Sequence, residues 1–140
     1  MGKQISKYEY RKYGSDRLMK PVIFCRSDKE LAEKAIALNV DIAKKLIDVE
    51  ITQRSFKISD VIDSVIAELP ENSTIKEFDV LFNPDYQINV LKLFIAACRK
   101  KEFAILWPGT FSEGKLMYAR AGYSDFKIYD LDEYDVTCVV

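Results

Sequence analysis

Pro21-Val22-Ile23-Phe24-Cys25-Arg26-Ser27-Asp28-Lys29-Glu30 is the stretch on which the fold of this chain turns. A proline opens a run of four apolar residues, the pattern of a buried strand that begins where a missing N–H is tolerated. Ser27, with Glu30 three residues on, has the form of a capping box, and Leu31, Ala32, Ala35, Ile36 and Leu38 follow at helical spacing. Strand, tight turn and helix form the unit in which nucleotide-binding sheets hold phosphate. There the turn is glycine-rich, because only then do backbone N–H groups approach the anion. Arg26 to Glu30 contains no glycine and sets two carboxylates where phosphate would sit. Indeed no glycine lies between Gly14 and Gly109. The layout invites a nucleotide fold, and the phosphate cradle is missing.

Further along, Asn39-Val40 reads as a short extended link and Asp41 as the cap of a helix carrying Ile42, Leu46 and Val49. Ser59 reads as the cap of an amphipathic helix with Val61, Ile62, Val65, Ile66 and Leu69 on one stripe, ended by Pro70. Phe78 to Phe82 reads as a strand, Asn83-Pro84-Asp85 as a turn, and Ile88 to Cys98 as a helix. Phe103 to Trp107 is a continuous apolar run of the kind found in strands covered on both faces, and Pro108-Gly109 stops it. Lys115–Ala119, Phe126–Tyr129 and Val136–Val140 read as short hairpin or edge strands. This order predicts an α/β fold, a mostly parallel central sheet with an antiparallel C-terminal hairpin. No repeat or linker divides the chain, so residues 21–140 are expected to form one domain behind a basic N-terminal arm, residues 1–20.

Composition narrows the chemistry. At 140 residues, 49% apolar and 31% charged, the chain is long enough to fold around a core without disulfides or metal. It has no histidine, which excludes Ser-His-Asp and Cys-His nucleophile systems and HExxH zinc sites. Cys25, Cys98 and Cys138 have apolar neighbours and form no C-x-x-C pair, so they read as small buried hydrophobes in a reducing compartment. No signal-peptide core and no membrane-length apolar run is present, and a cytoplasmic protein is expected.

The formal charge of −1 hides an uneven distribution. Residues 1–20 hold six basic side chains against two acidic ones, and residues 124–140 hold five acidic against one basic. Such ends could steer a partner or pair two copies head to tail. Lys3, Lys7, Arg11, Lys12 and Arg17 interleave with Tyr8, Tyr10 and Tyr13, which makes them candidates for nucleic-acid binding; a solvated arm or subunit contact is the alternative. Trp107, Pro108 and Gly109, with Tyr118, are candidates for a partner surface, because ligands and partners of open α/β sheets bind at the carboxyl edge. The alternative is a core tryptophan whose indole N–H finds a carbonyl. Glu77 and Asp79 would share a strand face and could be taken for metal ligands, yet Lys76 flanks them. Asp130, Asp132, Glu133 and Asp135 form an acidic cluster without the glycine of a calcium loop. No catalytic residue, metal or cofactor is expected from these patterns.

Leu38-Asn39-Val40-Asp41-Ile42-Ala43-Lys44-Lys45-Leu46, Thr52-Gln53-Arg54, Asp79-Val80-Leu81-Phe82-Asn83-Pro84 and Val90-Leu91-Lys92-Leu93 resemble segments of the BrxF family. So do Leu106-Trp107-Pro108-Gly109 and the closing segments Gly114–Ala119 and Gly122–Phe126. BrxF proteins are the small P-loop proteins of bacteriophage-exclusion (BREX) defence systems, and the resemblance covers about residues 38–128. It implies a three-layer, P-loop-NTPase-like α/β domain working beside larger proteins of a bacterial antiviral operon. At the matching positions the phosphate loop is gone and the family's magnesium-binding aspartate falls near Lys76. The expectation is therefore a degenerate, non-catalytic interaction subunit of a defence assembly, contacting other defence proteins or itself. A nucleic-acid-binding accessory using the basic arm is the alternative, and a magnesium nuclease using Glu77 and Asp79 or the acidic tail a third reading.

Overall fold

The computed structural model describes residues 1–14 and 16–140. Among these, six strands form one parallel sheet: β1 (Lys3–Ile5), β2 (Val22–Phe24), β3 (Ile36–Ala37), β4 (Thr74–Lys76), β5 (Ala104–Leu106) and β9 (Thr137–Val139). Their order across the sheet is β1-β9-β2-β5-β4-β3. A second, antiparallel sheet comprises β6 (Thr110–Ser112), β7 (Lys115–Tyr118) and β8 (Lys127–Asp130). The α/β class and the mostly parallel sheet follow the sequence pattern.

The chain moves from β1 to β2 to β3 in one direction across the sheet, then back through β4 to β5. Right-handed crossovers place helices of opposite progress on opposite faces. The helices α1 (Lys7–Tyr13) and α2 (Lys29–Lys34) accordingly lie on one face. On the other lie α3 (Asn39–Ile47), α4 (Arg54–Ala67) and α5 (Val90–Lys100). Strand alternation divides the side chains between these faces. Ile23, Ile75, Ile105 and Cys138, the middle residues of four strands, are fully buried and pack with Leu38, Ile42, Ile62, Phe78 and Phe94. Val22, Phe24, Thr74, Ala104 and Val139 face α1 and α2.

Two parts of the sheet depart from expectation. The N-terminal segment is not an arm standing off the domain: β1 pairs with β9, and a capping box between Ser6 and Glu9 starts α1 at once. Val136–Val140, expected at the antiparallel trim, instead enters the parallel sheet between β1 and β2. Val136, Thr137, Cys138 and Val139 are all buried, and a β-branched segment buried on both faces suits an interior parallel strand. The charged ends are consequently neighbours, with the N-terminal ammonium on the Asp135 carboxylate, rather than opposite poles.

Local punctuation also differs. Asp28, not Ser27, caps α2, its carboxylate accepting from the Leu31 N–H at 2.7 Å. That helix ends at Lys34 because Ile36-Ala37 is drawn off to pair with β4. Asn39 begins α3 rather than linking to it, and Arg54, not Ser59, opens α4 after a 3₁₀ turn at Ile51–Gln53. Phe78–Phe82 is not a strand. The strand is Thr74–Lys76; Glu77 then adopts a left-handed φ of 49°, and Asp79–Phe82 coils into a 3₁₀ turn that buries Leu81 and Phe82 beneath Phe78. Asn39 fixes that turn from 41 residues away, its side-chain oxygen accepting from the Val80 N–H at 3.0 Å.

Because β1 and α1 belong to the sheet, deleting residues 1–13 is expected to destabilise the whole domain. Uncovering Val139 alone would cost about 1.5–3 kcal/mol. Urea denaturation followed by circular dichroism measures this, and an unchanged midpoint would show that the segment is detachable.

Candidate functional site

The Trp-Pro-Gly turn is structural. Trp107 is only 4% exposed, and its indole N–H donates to the Met117 carbonyl at 2.9 Å. Phe82 and Tyr129 meet the indole edge-to-face, with centroids 5.9 and 6.0 Å away. Gly109 follows from the same contact: a Cβ there would lie 1.8 Å from the Met117 carbonyl oxygen. The turn thus clamps β5 onto the small sheet. The candidate partner plate gives way to the alternative, a core tryptophan, with Pro108 and Gly109 half-buried beside it.

Tyr118 closes the same seam. Its ring stacks on Phe82 at 3.8 Å between centroids, and its hydroxyl donates to Asp79 at 2.9 Å. The second Asp79 oxygen accepts from the Asn39 amide at 3.4 Å. Asp79 is therefore a latch joining α3, the 3₁₀ turn and β7. It does not share a strand face with Glu77, which sits on the left-handed turn with its side chain toward solvent and near Lys76. Of the acidic cluster, Asp130 caps the 3₁₀ turn Leu131–Glu133 and Asp135 holds the N-terminus. These carboxylates have structural duties.

The five basic candidates are split between surfaces. Lys3 is exposed on the edge strand β1, and Arg17 is exposed beyond α1. Lys12 lies between Tyr8 and Tyr13 on the outer side of α1, its ammonium 5.9 and 5.4 Å from the two ring centroids. Lys7 and Arg11, one helical turn apart, face inward. They border a cleft of about 650 Å³ between α1 and α2, floored by the second face of the parallel sheet. Sequence reasoning missed this cleft, because its walls come from residues 7–34, 72–74, 102–104 and 139–140.

At the carboxyl end of β2 the cleft is closed by an ion pair. Asp28 forms an ion pair with Lys7 of α1 while capping α2. The Lys7 ammonium, then the Leu31 N–H, hold the Asp28 carboxyl below its ordinary range. An anionic side chain occupies the mouth of the turn. On the opposite face of the sheet, the Cys138 thiol and burial push the Cys25 thiol upward, and burial does the same for Cys98, which disfavours the thiolate at both.

A comparison with protein-family models, curated proteins and solved structures finds no match to this chain.

Two tests address the seam. Gly109→Ala is expected to cost about 1–3 kcal/mol or more by forcing backbone apart, and thermal unfolding reads it. Burial, then the Asp79 hydrogen bond, pushes the Tyr118 hydroxyl up to about 12. A folded value above the ordinary 10 means that the stabilisation is complete below pH 10 and lost as pH rises toward 12. Absorbance titration at alkaline pH should show late-ionising tyrosines among the eight, with one fewer in Tyr118→Phe.

Proposed function

We propose that this chain is a non-catalytic interaction subunit of a bacterial antiphage defence assembly of the BREX type, a P-loop-like domain without nucleotide chemistry. Its principal support is the outer face of α3 and its continuation into α4. Val40, Ile47, Ile51 and Phe56 are between 65 and 79% exposed. Val40 and Ile47 lie seven residues apart on one side of α3, opposite the buried Ile42 and Leu46. Four large apolar side chains turned to water within seventeen residues are costly on a free monomer and mark a protein contact. The partner surface thereby moves from the Trp107 turn to the α3–α4 elbow.

The sheet supports the P-loop-like part of the reading. The strand after which a phosphate loop would stand, β2, is separated by β5 from β4, which lies where an acidic strand would carry magnesium. Nucleotide-binding sheets with one strand interposed between those two have this arrangement. In this chain the first position is closed by the Lys7–Asp28 pair. The second is Lys76, whose ammonium donates to the Ala32 carbonyl at 2.6 Å and so ties β4 to α2. A cation committed to a structural bond at that point disfavours a magnesium ion.

Co-expression with the products of the adjacent genes tests the reading. A stable complex is expected with at least one of them, and it should be lost in the surface variant Ile47→Asp/Phe56→Asp while the fold stays intact by circular dichroism. A chain that stays monomeric beside every neighbour would overturn it. Calorimetry with magnesium-ATP should show no binding at micromolar concentrations; such affinity would sink the non-catalytic part.

A further inference from the structure

The cleft between α1 and α2 has its origin in helix length. With seven and six residues, these helices are only about 10 Å long at a rise of about 1.5 Å per residue, too short to cover the sheet face beneath them. The floor is mostly apolar: the half-buried Phe24 and Ala104 reach the cleft, with the buried Val22, Thr74 and Val139 beside them. Tyr10 stands edge-on to Phe24 at 5.2 Å between centroids and makes an aromatic wall. The volume of about 650 Å³ is that of a small-molecule site.

Charge on the rim is not balanced. Five cationic and three acidic side chains border the cleft. Lys7 engages Asp28 and Lys20 engages Glu102, the latter at 2.7 Å. Arg11, Arg26 and Lys34 then face one remaining acidic side chain, Glu30, and the terminal carboxylate of Val140. At the carboxyl end of β2 the imbalance is local, since Lys7 and Arg11 act on one carboxylate, Asp28, and Arg26 borders the same cleft. Guanidinium groups bordering an apolar floor bind an anion strongly, because each presents several fixed donors next to a surface that sheds water.

We propose that this cleft binds a small molecule with a flat apolar body and one anionic group, the body on Phe24 and Ala104 and the anion between Arg11 and Arg26. The anion is a carboxylate, sulfonate or phosphate monoester, which share this chemistry. The site does not depend on the defence reading, and it uses neither a phosphate loop nor magnesium.

The probe is 8-anilinonaphthalene-1-sulfonate, an aromatic body with a single anion, titrated into the full chain by fluorescence. Saturable one-to-one binding is expected. Arg11→Ala/Arg26→Ala should weaken it by about tenfold or more, the loss expected for at least one charge-assisted hydrogen bond. The uncharged N-phenyl-1-naphthylamine should bind both proteins alike. Ala104→Trp, which fills the floor from a half-exposed position, should abolish binding of both probes. Phenyl phosphate or benzoate should displace the sulfonate, and inorganic phosphate should not. Near-ultraviolet circular dichroism shows that each variant is folded. Non-saturable binding, equal affinity in the double arginine variant, unchanged binding in a folded Ala104→Trp, or equal displacement by inorganic phosphate would each overturn the proposal.

Discussion

A parallel strand in the middle of a sheet must find backbone partners on both edges, because an unpaired buried N–H or C=O costs about as much as a lost hydrogen bond. Thr137–Val139 meets β1 on one side and β2 on the other. Around it the Lys3 N–H donates to Val136, the Cys25 N–H to Val139 and the Lys7 N–H to Val140, at 2.9, 2.9 and 3.1 Å. The C-terminus thereby holds the N-terminus in place. It also sets α1 at the height and angle that make it a wall of the cleft.

The same closure accounts for the charge pattern. A basic beginning and an acidic end, far apart in the chain, are brought side by side by strand pairing. The contact at Met1–Asp135 is on the surface, where an ion pair contributes at most about 1 kcal/mol. The pairing is therefore driven by backbone hydrogen bonds and by burial of Val136 and Val139, and the charges adapt to it. Lys7 does more, since it holds Asp28 and fills the turn after β2. The turn after the first interior strand is thereby closed by an intramolecular contact.

The Trp-Pro-Gly turn and the Tyr118–Asp79–Asn39 chain show the economy of a small second sheet. Three antiparallel strands have little core of their own, with Leu116 and Tyr129 buried against the main domain. Their position is specified by two polar contacts, the Trp107 indole on Met117 and the Tyr118 hydroxyl on Asp79. Both are half-buried or buried, where a satisfied hydrogen bond carries more directional information than apolar packing. Residues that looked like site chemistry in the sequence, Trp107 and Asp79 above all, are accounted for by this attachment.

The residue pattern alone established the α/β class, the strands β2, β5, β7, β8 and β9 and the helices α2 to α5. Val22–Phe24, the α4 and α5 stripes and Ala104–Leu106 are continuous or periodic apolar runs, and burial drives such runs wherever they occur. It also determined the absence of histidine chemistry and of a glycine phosphate loop, because both are properties of residue type. Tertiary structure decided the rest. Whether Val136–Val140 is an edge or a central strand depends on which backbone edge is vacant. Whether Phe78–Phe82 extends or coils depends on an asparagine 39 residues before it. Whether Lys7 belongs to a solvated arm or a cleft wall depends on β9. Each is a contact between segments far apart in the chain, and local propensity carries no record of the partner.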